Sequence, residues 1–138
     1  MSDTEAPEAQ VGDVRLALSW RLVDGGLRGE LEAVNVRDHR VRLSGKPDLT
    51  PVGIDGSPLA VETVVTMEFR HPGYVELGPG RRAIAPVTWA GWDGPPSSGR
   101  LIVRWEGGRV EVDASGPRQP ANSGPATNLS TSWFSLVD

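Results

Sequence analysis

A chain of 138 residues suits one domain with a full hydrophobic core, and its formal charge of −4 argues against nucleic acid or an anionic membrane as partner. Cysteine is absent and only two histidines, His39 and His71, are present. That excludes a disulfide or thiolate metal site and leaves little imidazole for metal or acid–base work.

The start, MSDTEAPEAQ, is acidic and polar. It lacks the basic and apolar stretches of a secretory signal, and nothing later approaches a membrane span of roughly 20 apolar residues. A cytoplasmic protein without a membrane span is expected. Residues 1–11 are expected to form a disordered arm, and residues 12–138 a single domain. From Val14 to Leu22 the chain alternates, with Leu16, Leu18, Trp20 and Leu22 on one face and Arg15, Ser19 and Arg21 on the other. Asp24-Gly25-Gly26 then predicts a turn, and the stretch from Leu27 to Val36 an antiparallel return with Leu27, Leu31 and Ala33 inward.

Asn35 to Arg40 reads as a polar bend, Val41 and Leu43 as a short strand, and Leu49 to Ile54 as another. Asp55-Gly56-Ser57-Pro58 is a turn cluster. The odd positions Val61, Thr63, Val65, Met67 and Phe69 alternate with mostly polar ones, which predicts a strand up to His71-Pro72-Gly73. Tyr74 to Leu77 is a short strand. After the Gly78-Pro79-Gly80 turn, Ala83, Ala85, Val87 and Trp89 share one face of the strand most central to the pattern.

A loop is expected over residues 93–99. Leu101, Val103 and Trp105 then predict a hairpin with Val110 and Val112 around Glu106-Gly107-Gly108. Residues 115–131, rich in Pro, Ser, Asn and Gly, read as a long loop. The apolar segment at 132–137 is expected to dock as an extra strand or a cap. With 17 Gly and 12 Pro as punctuation, the fold class expected is an all-β, immunoglobulin-like antiparallel sandwich of roughly eight to ten short strands. An up-and-down barrel is the alternative.

Several short motifs follow one another in order: Val34-Asn35, Arg42-Leu43-Ser44-Gly45-Lys46-Pro47, Asp55-Gly56-Ser57-Pro58-Leu59, and Leu77-Gly78-Pro79-Gly80 with Ala83. Over residues 14–113 this series resembles the actinobacterial domain of unknown function 4232, whose pattern runs V-x-N, C-x-L-x-G-Y-P, D-x-x-G-x-P-L and L-x-P-G-x-x-A. The resemblance implies the same immunoglobulin-like fold. It implies no catalytic residue or cofactor, because the family has no established activity. Members of that family are typically exported and carry cysteines. Here Val41 stands in place of the first cysteine, the loop at Pro95–Ser98 supplies no second, and Lys46 replaces the motif tyrosine.

Five of the eight aromatic residues are tryptophan, whose flat apolar face suits a sugar or a protein partner. Trp92 lies past a strand end beside a loop and is the first candidate, weighed against a ring covering the core. Trp133 and Phe134 follow, weighed against a core-capping role that is favoured, with Tyr74 as an accessory platform, while Trp20, Trp89 and Trp105 fall on inward phases. Arg100, with Arg104 and Arg109, offers a basic strip for a carboxylate-bearing partner, weighed against outward charges that protect sheet edges. Asp38-His39 reads as a solvated bend, and no nucleophile motif or metal-ligand spacing is present. Asn128-Leu129-Ser130 matches a glycosylation sequon, which carries no weight for a cytoplasmic protein.

The expectation is therefore a non-catalytic module that binds another protein, without metal or cofactor. A carbohydrate-binding module using tryptophan is the alternative. A hydrolase using Asp55 and Asp93 as acid and base comes third, since turn chemistry explains both aspartates.

Overall fold

The computed structural model describes residues 6–64, 69–121 and 127–137. The chain is all-β and sandwich-like, with eleven strands among the described residues. The Asp24-Gly25 signal makes the turn it predicts. Asp24 and Gly25 both take positive φ, 48° and 84°, so β1 (Val14–Val23) and β2 (Gly26–Asn35) pair antiparallel over their full length around a two-residue loop. Leu18, Trp20, Leu27, Leu31 and Ala33 are buried. Leu22, expected inward, is 52% exposed because it lies at the hairpin tip, beyond the facing layer.

The strands that follow are β3 (Val41–Ser44), β4 (Asp48–Gly53), β5 (Glu62–Thr63), β6 (Tyr74–Leu77) and β7 (Arg82–Trp89). Then come β8 (Ser97–Trp105), β9 (Gly108–Ser115), β10 (Asn128–Thr131) and β11 (Ser135–Val137). A curled sheet runs β4-β8-β9-β1-β2-β7-β10-β5, with β11 also on β7, and β3-β6 forms a small second sheet. Two of its pairings, β1 with β9 and β10 with β5, are parallel; the other strand pairs are antiparallel.

The face expected of β7 is the core. Ala83, Ala85, Val87 and Trp89 are no more than 1% exposed. Trp20, Trp89 and Trp92 pack in sequence, their ring centroids 6.4 and 6.0 Å apart at tilts of 55°. Trp20 lies over its cross-strand partner Gly29, where a Cβ would come within 2.7 Å of Trp20 Cε3.

The buried amide of Asn35 ties three chain segments together. Its Nδ2 donates to the carbonyls of His39 (2.8 Å) and Leu77 (2.9 Å), and its Oδ1 accepts the Arg37 N–H (2.8 Å). Its own backbone pairs with Arg81 and Gly80, both at 3.0 Å. The bend after β2 and the turn between β6 and β7 thus share one anchor.

Residues 6–11 correct the expectation of a disordered arm over the part of it that is described. Ala6 and Ala9 are buried. Ala9 N–H donates to Arg42 and Arg42 N–H to Pro7, both at 2.8 Å, and Trp105 Nε1 donates to the Ala9 carbonyl at 2.8 Å. The Glu8 carboxylate accepts from Ser44 N (3.0 Å), Ser44 Oγ (2.5 Å) and Arg42 Nε (3.3 Å). Just beyond, Asp13 accepts the Gln10 N–H (2.8 Å) and Arg37 Nε (2.7 Å), and these hold its carboxyl below the usual carboxylate range.

Three other expectations change. Of the strand expected from Val61 to Phe69 the described residues form only β5, with Val61, Val64 and Phe69 outside it; Val65 and Met67 lie outside the described residues. Ser97 to Gly99, expected as loop, belong to β8. The long loop at 115–131 contains β10, which pairs with β7 at Leu129–Trp89; residues 122–126 lie outside the described residues.

Candidate functional site: a cation–aromatic ledge beside the small sheet

The site is assembled where the small sheet meets the end of the chain. Ser44 of β3 pairs with Tyr74 of β6, and Gly45 N–H donates to Gly73 at 2.9 Å, which carries the pairing one residue past the strand. Gly45 takes φ +74°, a conformation open to glycine, and this turn sets Lys46 beside the C-terminal segment. There the chain leaves β7 after β10 and rejoins it at Ser135, so Trp133 and Phe134 lie between the two strands. A Cβ at Gly73 would sit 3.8 Å from the Trp133 ring.

Two cations address that ring. Lys46 Nζ lies 5.8 Å and Arg70 Cζ 5.9 Å from its centroid, within cation–π range. Arg70 also donates from Nη1 to the Phe134 carbonyl and from Nη2 to Ser135 Oγ (3.1 Å). On the small sheet Arg42 Cζ is 5.3 Å from the Tyr74 centroid. Phe69, the residue before Arg70, is 93% exposed. Leu136, beside Ser135, is 51% exposed. An exposed phenylalanine thus adjoins a side chain that is itself held at three points.

Of the five residues nominated from sequence, Trp133 and Phe134 lie here, Tyr74 follows Gly73 in the chain and stacks on Arg42, and Trp92 and Arg100 lie elsewhere. Phe134 is 3% exposed and packs into the core, as the capping reading weighed against its nomination would have it. Trp92 is buried as well. It is 9% exposed, packs on Trp89, and its Nε1 donates to the Pro95 carbonyl at 2.7 Å, so it covers the sandwich interior. Arg100 lies on the outer face of β8, 3.7 Å from Glu111, while Arg104 is 3.5 Å from Asp48. The arginine strip is therefore interleaved with carboxylates, as edge-protecting charges are.

Sequence reasoning missed Phe69, Arg70 and Lys46. The alternation through Val61–Phe69 placed Phe69 among the alternating positions of a strand. The contrary signal was the Arg70–Gly73 breaker immediately after it, which leaves a strand end with nothing to face. Lys46 was visible as a departure from the motif tyrosine, without a role attached.

Elsewhere the chemistry is sparse. Asp38 and His39 are 3.2 Å apart on the surface. A groove of about 370 Å³ lies between the turn after β4 and the loop before β8, lined by Ile54, Pro58, Leu59, Pro95 and Pro96. Its one carboxylate, Asp55, already accepts the Ser57 N–H at 2.9 Å. Among the described residues no three histidine or carboxylate side chains converge as a metal site would need, and no helix is long and apolar enough to cross a membrane. No protein-family profile, curated protein or solved structure matches this chain.

Proposed function

We propose that the protein is a non-catalytic β-sandwich module that binds another protein through the ledge of Phe69, Arg70, Tyr74 and Trp133. The observation that carries this reading is Phe69, 93% exposed and next in the chain to Arg70, whose side chain is held by Phe134 and Trp133. Aromatic side chains flanked by arginine are the residue types on which interface energy concentrates. Water gains nothing from such a ring, whereas a partner that covers it gains about 2 kcal/mol.

The glycan reading draws less support. A sugar-stacking platform needs an open ring face. Trp92 is packed in the interior, and the Trp133 and Tyr74 rings are already addressed by cations. The kinship to the domain of unknown function 4232 and its immunoglobulin-like fold remain part of the proposal. Their support is that the motif glycines Gly45, Gly56 and Gly80 all take positive φ at chain reversals (74°, 88° and 75°). A cytoplasmic location accords with a chain that has no cysteine.

The test is a pull-down from native cell extract with tagged wild type and Phe69→Ala. A near-stoichiometric partner is expected with the wild type. Phe69→Ala should weaken its binding about thirtyfold, the equivalent of roughly 2 kcal/mol, with an unchanged melting temperature. A partner retained equally by Phe69→Ala would overturn the assignment of the face.

A further inference from the structure

We infer that β9 pairs edge to edge with β9 of a second copy of this chain, through residues other than those of the ledge. Among the described residues β1 and β9 pair only at Leu18–Ala114 and Ser19–Ser115, and upstream of that join the two strands part. Continued register would set Arg15 opposite Glu111, yet Glu111 has its ion pair with Arg100, at 3.7 Å. Between the parted strands lies a recess of about 230 Å³, with Val11, Leu16, Trp105, Val110 and Val112 in its walls.

The backbone decides what fits there. β8 and β9 form a two-residue hairpin, so the flanking pair Trp105–Gly108 exchanges both hydrogen bonds, as do Val103–Val110 and Leu101–Val112. The N–H and C=O of Arg109 and Glu111 therefore point away from β8, toward the side that β1 has left. An open edge of this kind is completed by another strand.

The charges select which strand. A second β9 related by a two-fold axis runs antiparallel, and its open residues must meet open residues. Centring the pair on Arg109 or on Glu111 sets like charges opposite each other. Centring it on Val110 sets Arg109 opposite Glu111 of the second copy, and does so twice, with the two half-buried Val110 side chains in the closer, non-hydrogen-bonded pair. That register spans Gly108 to Val112, the part of β9 that β1 leaves open. Arg109 is exposed and has no hydrogen bond or ion pair among the described residues. Its cross-strand neighbour is Arg104, whose ion pair is with Asp48 at 3.5 Å. The two-fold axis thus supplies the carboxylate that Arg109 lacks in its own chain. Val11, 56% exposed, and the half-buried Leu16 and Trp105 add apolar surface beside the join.

Sedimentation equilibrium of the full chain from about 1 μM to about 1 mM should show monomer and dimer in exchange. Arg109→Glu and Glu111→Arg each set two like-charge pairs across the axis and should weaken self-association about tenfold. Mixed in equal amounts, the two variants should recover the wild-type affinity as a heterodimer, because opposite charges then meet at both positions. Amide exchange at Arg109 and Glu111 should slow as the wild-type concentration rises. Thermal melts at low concentration establish that each variant is folded. Should either variant fail to fold, the wild-type exchange data carry the decision, and amides there that ignore concentration would overturn the pairing. A chain that stays monomeric throughout would overturn it too, as would a dimer indifferent to both reversals or variants that gain nothing on mixing.

Discussion

Asn35→Ala is expected to lower stability by about 3–5 kcal/mol, which in a chain of this size lowers the melting temperature by roughly 10–15 °C. The substitution removes a side chain with nearly no exposure and three hydrogen bonds of 2.8–2.9 Å. It leaves the Leu77 carbonyl, the His39 carbonyl and the Arg37 N–H without that partner, and the bond to Leu77 is buried. Unmade buried hydrogen bonds cost more than made ones gain, so the loss exceeds that of a surface amide. Asn35→Asp separates the contributions. A carboxylate retains the acceptor for Arg37 but faces two carbonyls it cannot donate to, so it should destabilise at neutral pH at least as much as alanine. Chemical denaturation measures both. A loss below about 1 kcal/mol for Asn35→Ala would mean that the amide is not the anchor of this corner.

Gly116→Ala is the second large effect, at about 3 kcal/mol or more. Gly116 takes φ +98° directly after β9, a conformation costly for any residue with a Cβ. A Cβ there would also run into the Trp20 carbonyl oxygen, which is backbone of β1 and cannot swing away. This is the point where β9 reaches β1 in parallel register at Ser19–Ser115, so relief of the clash requires the two strands to part. Fewer protected amides on β9 by hydrogen exchange should accompany the loss. The control Gly56→Ala has a positive φ of 88° but open space around it, so it should lose only the backbone contribution, about 1–2 kcal/mol. Equal losses at both glycines would contradict the role assigned to the close approach.

The parts of the fold legible in the sequence are those encoded by local signals. Asp24-Gly25 specifies its hairpin because both residues accept positive φ. Ala83, Ala85, Val87 and Trp89 declare a buried face because alternation is strict over four pairs of positions. What stayed hidden depends on distant partners. Residues 6–11 dock through backbone hydrogen bonds, two alanines and one glutamate, and composition reads such a segment as polar and loose. β10 carries a single fully buried side chain, Leu129, too little for a period to register.

The ledge was half legible. Trp133 and Tyr74 drew notice as aromatics, but what holds the Trp133 end is Arg70, which reaches across 64 positions of sequence to the Phe134 carbonyl. Trp92 stood between two readings for the converse reason. A tryptophan past a strand end looks exposed until the loop that closes on it, here through Pro95, is placed. Asn35 was recognised only as part of a motif, and its three partners lie in segments that local pattern cannot bring together.

The most direct measurement of the central claim is site-specific photo-cross-linking in native cells, with p-benzoylphenylalanine in place of Phe69 and, separately, in place of Ile54. Both positions are exposed and apolar, at 93% and 66%, so the comparison holds surface character constant while changing location. A partner protein covalently captured from position 69 and not from position 54 is the result this account predicts. Capture from Ile54, beside the groove lined by Pro58, Pro95 and Pro96, with none from position 69, would contradict it and move the binding face to the other loops.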